Sequence, residues 1–288
     1  MSVQKVAVIG SGLMGRGIAH VAALGGFQTV VVDVSDEILQ KAMDNIRSEM
    51  EKGVSLGKLA PDAKDEALGR LVVETSLEKA AGDADLVIEA IPEDMKLKID
   101  TFTRLDQSAP SGAILASNTS SLSITEMAAV TKRPKQFLGM HFFNPVHKMK
   151  LLEIVVGLET SVGTIKVAEE VGRRMGKETI VIKESPGFIT SRINAIIGNE
   201  AFHMLQEGVA SAEDIDKAVK LGLNHPMGPF EMVDLVGLDT RLHILEYLHK
   251  TLGDKFRPAP LMVQYVRAGR LGRKVGRGVH DYQAGEKK

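Results

Sequence analysis

VAVIGSGLMGRGIAHVAALGG, Val6–Gly26, holds the key to the fold. A short apolar, β-branched run leads into Gly10, Gly12 and Gly15 in G-x-G-x-x-G spacing, and a helical pattern follows. A second run, TVVVDV (Thr29–Val34), carries an acid, Asp33, 18 residues after Gly15. Strand, glycines, helix, strand and acid in that order mark a dinucleotide-binding βαβ unit. Gly10 permits the tight turn, Gly12 lets backbone approach a pyrophosphate, and Gly15 lets helix pack closely on strand. Leu13 and Met14 open the helix, whose N-terminus offers free N–H groups and a positive dipole end to phosphate. Asp33 is expected to accept hydrogen bonds from the adenosine ribose. It would repel a 2′-phosphate, and no Arg or Lys lies between it and Lys41 to offset this, so NAD is expected over NADP. FAD shares the fingerprint, and a glycine turn that merely links strand to helix is the plain alternative.

Outward from this unit, short β-rich runs alternate with amphipathic segments through residue 184. The runs are KVAVIG, TVVVDV, LVVET, ADLVIEAI, AILASN, FLGMHFF, LLEIVV and TIVIK. That alternation predicts a parallel sheet with crossover helices. After residue 184 no strand is expected. SPGFITSRINAIIGNEAFHMLQEG reads as a helix with Ser185 as N-cap, Pro186 in its first turn and Gly208 as its stop. SAEDIDKAVKLG, opened by Ser211, and DTRLHILEYLHKTLG are two more. The expected fold class is α/β: a Rossmann-type, mostly parallel sheet domain over 1–184, then an all-α C-terminal domain over 185–288.

Composition narrows the function. The 288 residues are 44% hydrophobic and 25% charged, with a formal net charge of −1, so nothing global points to nucleic acid or a membrane surface. There is no cysteine, which excludes disulfides and thiolate metal sites. No apolar run approaches the roughly 20 residues of a membrane span. MSVQKVAVIG enters structure at once, with no targeting segment, so a cytoplasmic protein is expected.

Two stretches carry candidate chemistry. ILASNTSSLSI sets Ser117, Asn118, Thr119, Ser120 and Ser121 just after a strand, at the edge where open parallel sheets bind ligands. They hold a polar substrate group there, or they only cap the next helix. HFFNPVHKMKLLEIV puts His141 and Asn144 at another strand end and Glu153 inside an apolar run. A buried carboxylate needs a partner. A histidine suits removal of a hydroxyl proton, and a carboxylate on its other nitrogen would fix its tautomer. His141 and His147 are six apart with no cysteine, so no metal site is expected.

GSGLMGRGIA, ADLVIEAIPED, ASNTSSL, HFFNPVHKMKLLEIV, PGFITSRI and HPMGPFEMVDLVGLD together resemble the L-3-hydroxyacyl-CoA dehydrogenases, bacterial 3-hydroxybutyryl-CoA dehydrogenases among them. The resemblance spans nearly the whole chain. It implies NAD as cofactor, an acyl-CoA substrate, and a helical C-terminal domain that forms a homodimer. By that resemblance His141 is the catalytic histidine, Glu153 its paired glutamate, and Ser120 the serine that contacts substrate and cofactor. Glu93, Lys98, Asn144 and Lys274 fall on cofactor contacts, and Asn45 and Lys52 on coenzyme A contacts. Lys58 is a further basic residue for its phosphates. The family's asparagine in PGF-x-x-N-R is Ser191 here, and Asn194, one turn on, could stand in for it as a substrate contact. The competing expectations are a dehydrogenase of a free hydroxy acid on the same fold, or a non-catalytic NAD-binding relative.

Overall fold

Each of the eight apolar runs forms a strand in this computed structural model, which describes residues 2–282. In chain order the first unit contains β1 (Lys5–Ile9), α1 (Leu13–Leu24), β2 (Gln28–Val32), α2 (Asp36–Ser55), α3 (Pro61–Gly69) and β3 (Leu71–Glu74). It continues with α4 (Leu77–Ala81), β4 (Leu86–Glu89), α5 (Met95–Ser108), β5 (Ile114–Ser117) and α6 (Ile124–Ala129). It closes with β6 (Phe137–His141), β7 (Leu151–Val156), α7 (Val162–Arg174) and β8 (Glu178–Lys183). The strand order is β3-β2-β1-β4-β5-β6-β7-β8. All neighbours are parallel except β6 and β7. Strand order reverses at β1, so the crevice beyond the carboxyl ends of β1 and β4 is where such a sheet takes a ligand.

The inner strands are buried on both faces, which is why they read as continuous apolar runs rather than alternating ones. Their side chains join Ile18, Ala22, Leu39, Ile46 and Met50 of α1 and α2 in one core. α2 is capped by its own flanking residues: the Ser35 hydroxyl accepts from the Ile38 amide, and Asp36 and Glu37 occupy the first turn.

The chain divides between Glu184 and Ser185, and the second unit is helical. It contains α8 (Thr190–Glu207), α9 (Ala212–Gly222), α10 (Pro229–Val236), α11 (Leu238–Leu252) and α12 (Pro260–Arg267) around its own core, which includes Phe202, Phe230, Leu245 and Phe256. One expectation needs correction. The helix expected from Ser185 begins only at Thr190, because Gly187 and Phe188 take positive φ (73° and 50°) and no helix passes through such a pair. Ser185 caps nothing; its hydroxyl accepts from Arg192 instead. Gly208, at φ 72°, ends α8 as expected. Among the described residues no helix is long and apolar enough to cross a membrane.

Candidate active site

The glycine turn is built against β4. Gly10 sits at φ 95°, and a Cβ there would come 2.7 Å from the Ala90 carbonyl oxygen. A Cβ on Gly15 would come 1.8 Å from the Gly10 carbonyl oxygen, so only glycine lets α1 leave the turn this closely. Gly12 differs: a Cβ there would meet no protein atom within 4 Å. The open side of the turn therefore faces away from protein, as a cradle for a bound group must. No side chain caps α1, which leaves its first amides for a ligand.

Asp33 is tied into this turn. Its Oδ2 accepts from the Ser11 amide and hydroxyl, each at 2.7 Å, and its Oδ1 from the Val34 amide at 2.8 Å. Burial alone would push its pKa up, but the Ser11 and Val34 hydrogen bonds together outweigh burial and hold the carboxyl below its ordinary range. A cavity of about 920 Å³ is lined by Gly10, Gly12, Leu13, Met14 and Asp33 on one side and by Ala90, Ile91, Leu97 and Arg104 on the other. Gly15 does not line it; it packs beneath the turn. The open turn, the free helix N-terminus and an ionised Asp33 fit the diphosphate and ribose of a dinucleotide.

A second cavity, of about 330 Å³, shares Met14, Ala90 and Ile91 with the first. Glu93, Lys98, Asn118, Ser120, His141, Phe143 and Asn144 line it. His141 and Glu153 are direct cross-strand partners on β6 and β7, so their side chains share a face. Nδ1 of His141 stands 2.7 Å from Glu153 Oε2, with the carboxylate fully buried. Antiparallel pairing of β6 and β7 is what brings together two residues twelve apart in sequence. Asn118 locks the neighbouring strand end by accepting from the Phe142 amide at 2.9 Å.

Glu93 organises the segment after β5. Its Oε1 accepts from the Thr119 hydroxyl (2.6 Å), the Ser120 amide (2.9 Å) and the Ser120 hydroxyl (3.2 Å). Burial raises its pKa, but Lys98 and these hydrogen bonds outweigh that and lower it overall. Lys98 is 1% exposed and pairs with Glu89 at 2.6 Å and Glu93 at 3.5 Å. Glu89, wholly buried at the end of β4, also accepts from the Ser117 hydroxyl (2.6 Å) and the Ile91 amide (2.8 Å). Its burial pushes its pKa up against the pull of Lys98. Glu89 was not among the expected site residues, yet ADLVIEAI carries the signal that exposed Glu153: an acid inside an apolar strand.

Asn45 and Lys52 are exposed on α2, with the Asn45 amide donating to the Lys41 carbonyl. Ser191 and Asn194 are half-buried in the first turns of α8. Lys274 Nζ pairs with Asp239 at 2.6 Å, within the second unit. His147 follows Asn144 in the loop after β6, and its ring stacks on His20 with centroids 5.4 Å apart.

Comparison with known proteins yields one consistent result. Residues 5–185 match the family model for the 3-hydroxyacyl-CoA dehydrogenase NAD binding domain. Residues 187–282 match that for the 3-hydroxyacyl-CoA dehydrogenase C-terminal domain. A probable 3-hydroxybutyryl-CoA dehydrogenase of Bacillus subtilis is 44% identical, over 98% of this chain and 99% of its own. A 3-hydroxybutyryl-CoA dehydrogenase of Bradyrhizobium diazoefficiens is 46% identical, over 98% and 96%. Among solved structures, (S)-3-hydroxybutyryl-CoA dehydrogenase from Ralstonia eutropha superposes with a TM-score of 0.94 at 44% identity, covering 98% of this chain and 100% of that one.

Proposed function

The chain belongs to the 3-hydroxyacyl-CoA dehydrogenase family and is an NAD-dependent oxidoreductase, and from that premise we propose that it interconverts (S)-3-hydroxybutyryl-CoA and acetoacetyl-CoA. The observation that carries the proposal is the buried His141–Glu153 pair, 2.7 Å apart, on the cavity that Ser120 also lines. The names of the relatives above support the four-carbon substrate.

Bound NAD supplies the acceptor for the hydride that leaves C3. His141 takes the hydroxyl proton through Nε2, the nitrogen not held by Glu153, and returns it in the reverse direction. Glu153 keeps the proton on Nδ1 and stabilises the imidazolium as it forms, so it is a positioning residue. The Ser120 hydroxyl hydrogen-bonds the reacting oxygen. The Leu13 and Met14 amides and the open face at Gly12 hold the diphosphate, Asp33 holds the ribose, and Glu93, Lys98 and Asn144 hold the nicotinamide half. From the helical unit the proposal takes Lys274 as a cofactor contact and Ser191 with Asn194 as substrate contacts. Asn45 and Lys52 are assigned to coenzyme A.

The same proposal includes a homodimer formed through the helical unit. Supporting it, Ile189, Ile193 and Ile196 are 44%, 54% and 38% exposed at i, i+4 and i+7, one apolar stripe along the start of α8.

The test is initial-rate kinetics with NADH and NADPH against a chain-length series of 3-oxoacyl-CoA substrates and a free 3-oxo acid. Acetoacetyl-CoA with NADH is expected to give the highest kcat/KM. Turnover of the free acid without turnover of any acyl-CoA would overturn the substrate assignment and favour a hydroxy-acid dehydrogenase.

A further inference from the structure

We propose that His20, Glu49 and His147 form a binding site for one divalent transition-metal ion of the zinc class, held by α1, α2 and the loop after β6. Together they offer three ligand atoms within 4.8 Å of one another. Nothing in the mechanism above uses any of the three.

Distances carry the argument. Glu49 Oε2 lies 3.6 Å from His20 Nδ1 and 3.5 Å from His147 Nδ1. Those separations are long for hydrogen bonds. They suit two donors on one ion: bonds of about 2.0–2.1 Å in a tetrahedron set the donor atoms about 3.3 Å apart. His20 is 3% exposed, and its Nδ1 has no hydrogen-bond partner, an orphan that a metal bond would satisfy. The two rings stack with centroids 5.4 Å apart and planes 12° from parallel, so the His147 ring, the more exposed of the two, turns about its side-chain torsions to bring both Nδ1 lone pairs onto one ion. Two imidazoles and a carboxylate, with a fourth position open to water, make a recurrent zinc donor set.

Other contacts already hold α1 and the loop in place. α1 meets the loop so closely that a Cβ on Gly17 would come 2.8 Å from Val146 Cγ2. Lys177 donates to the carbonyl oxygens of Val146 and Met149, on either side of His147. Burial disfavours the protonated form of His20. The opposing charges are Lys177 and Lys148. Burial lowers the pKa of Lys177 too, and the Glu49 carboxylate offsets one charge of the ion.

This departs from the expectation of no metal site, which rested on the spacing of His141 and His147 and the absence of cysteine. The ligands come from three separate segments, so no single run of sequence displays them. An ion there would clamp the loop carrying Asn144 to α1 and α2.

The experiment is a Zn²⁺ titration of the tag-free, chelator-treated full chain, read by competition with a chromophoric chelator. His20→Gln and His147→Gln are titrated alongside, and metal-free melting temperatures report whether each variant folds. The wild type is expected to bind about one equivalent, about tenfold or more tightly than either variant. It alone should melt higher with Zn²⁺, and it alone should give four-coordinate absorption bands with Co²⁺. His147 has a side chain 27% exposed, so its variant keeps the test informative if His20→Gln does not fold. Equal affinity and stoichiometry in wild type and His147→Gln would overturn the proposal. So would a wild type that binds no Zn²⁺ at micromolar concentration.

Discussion

Glu153 sits mid-strand among apolar neighbours, and its partner lies directly across the ladder. Removing that partner would break the 2.7 Å bond to a fully buried carboxylate, and breaking a buried pair of this kind costs about 3–5 kcal/mol. Glutamine is therefore the informative replacement for His141, because its amide can still donate to Glu153 while it cannot act as a base. His141→Gln is expected to lower kcat about 10²–10⁴-fold and to leave NAD binding, followed by fluorescence titration, near wild type. Near-normal turnover would remove His141 from the chemistry. Glu153→Gln should lower kcat about tenfold or more with little change in KM, and should displace the pH profile of kcat, since the amide no longer selects the Nδ1–H tautomer. An unaltered profile would make Glu153 a packing residue. At this scale the sequence was legible wherever a charge interrupted an apolar run. Glu89 follows the same rule, but no histidine stands near it in sequence to suggest a partner. Glu93 was expected as a cofactor contact only through family resemblance. Its hold on Thr119 and Ser120 spans 26 and 27 residues, which no local pattern announces.

The β1–α1–β2 unit follows its sequence closely, because glycine position, helix start and strand-end acid are all local. Besides the ribose contact proposed for it, Asp33 binds the Ser11 amide and hydroxyl and so shapes the turn. The neighbouring Val34 is 85% exposed, an open position for a cation. Asp33→Ser with Val34→Arg should thus shift the kcat/KM ratio toward NADPH by about 10²-fold or more, through loss of repulsion and gain of a phosphate partner. Because the turn loses two hydrogen bonds, activity with NADH should fall as well. An unchanged cofactor ratio would show that the acid does not face the 2′ position. The reversal at β7 was less legible. Nine residues separate β6 from β7 with no helix between them, too few for a parallel crossover, yet the stretch lacks a short hairpin-turn motif. α10 and α12 escaped notice because each spans only 8 residues and opens on proline, which reads equally as a turn.

At the scale of the whole chain, the change from alternating strands to helices after Lys183 was plain, while the contacts that hold the helical unit together were not. Asp216 accepts from the Phe230 and Glu231 amides at the start of α10, and Asp234, at its far end, accepts from the Val279 and His280 amides. Bonds reaching back 45 or more residues leave no periodic trace in sequence. His280 closes this network, its Nε2 lying 2.8 Å from Asp216 Oδ2. The Asp216 hydrogen bond raises its pKa above the ordinary 6.5, and the charges of Asp216, Asp234 and Glu213 add to it against the opposing effect of burial. Because the folded value lies above the unfolded one, protonated His280 contributes stability that is complete below about pH 6.5 and is lost as pH rises through the folded pKa. Glutamine at this position can still donate to Asp216 but does not titrate. Wild type should accordingly melt higher than His280→Gln at about pH 6, with the gap narrowing toward about pH 9. Thermal unfolding of both proteins across that range reads the effect. A gap that stayed constant with pH would mean that His280 serves by packing and hydrogen bonding alone, and that its charge plays no part in holding its own segment against α9 and α10.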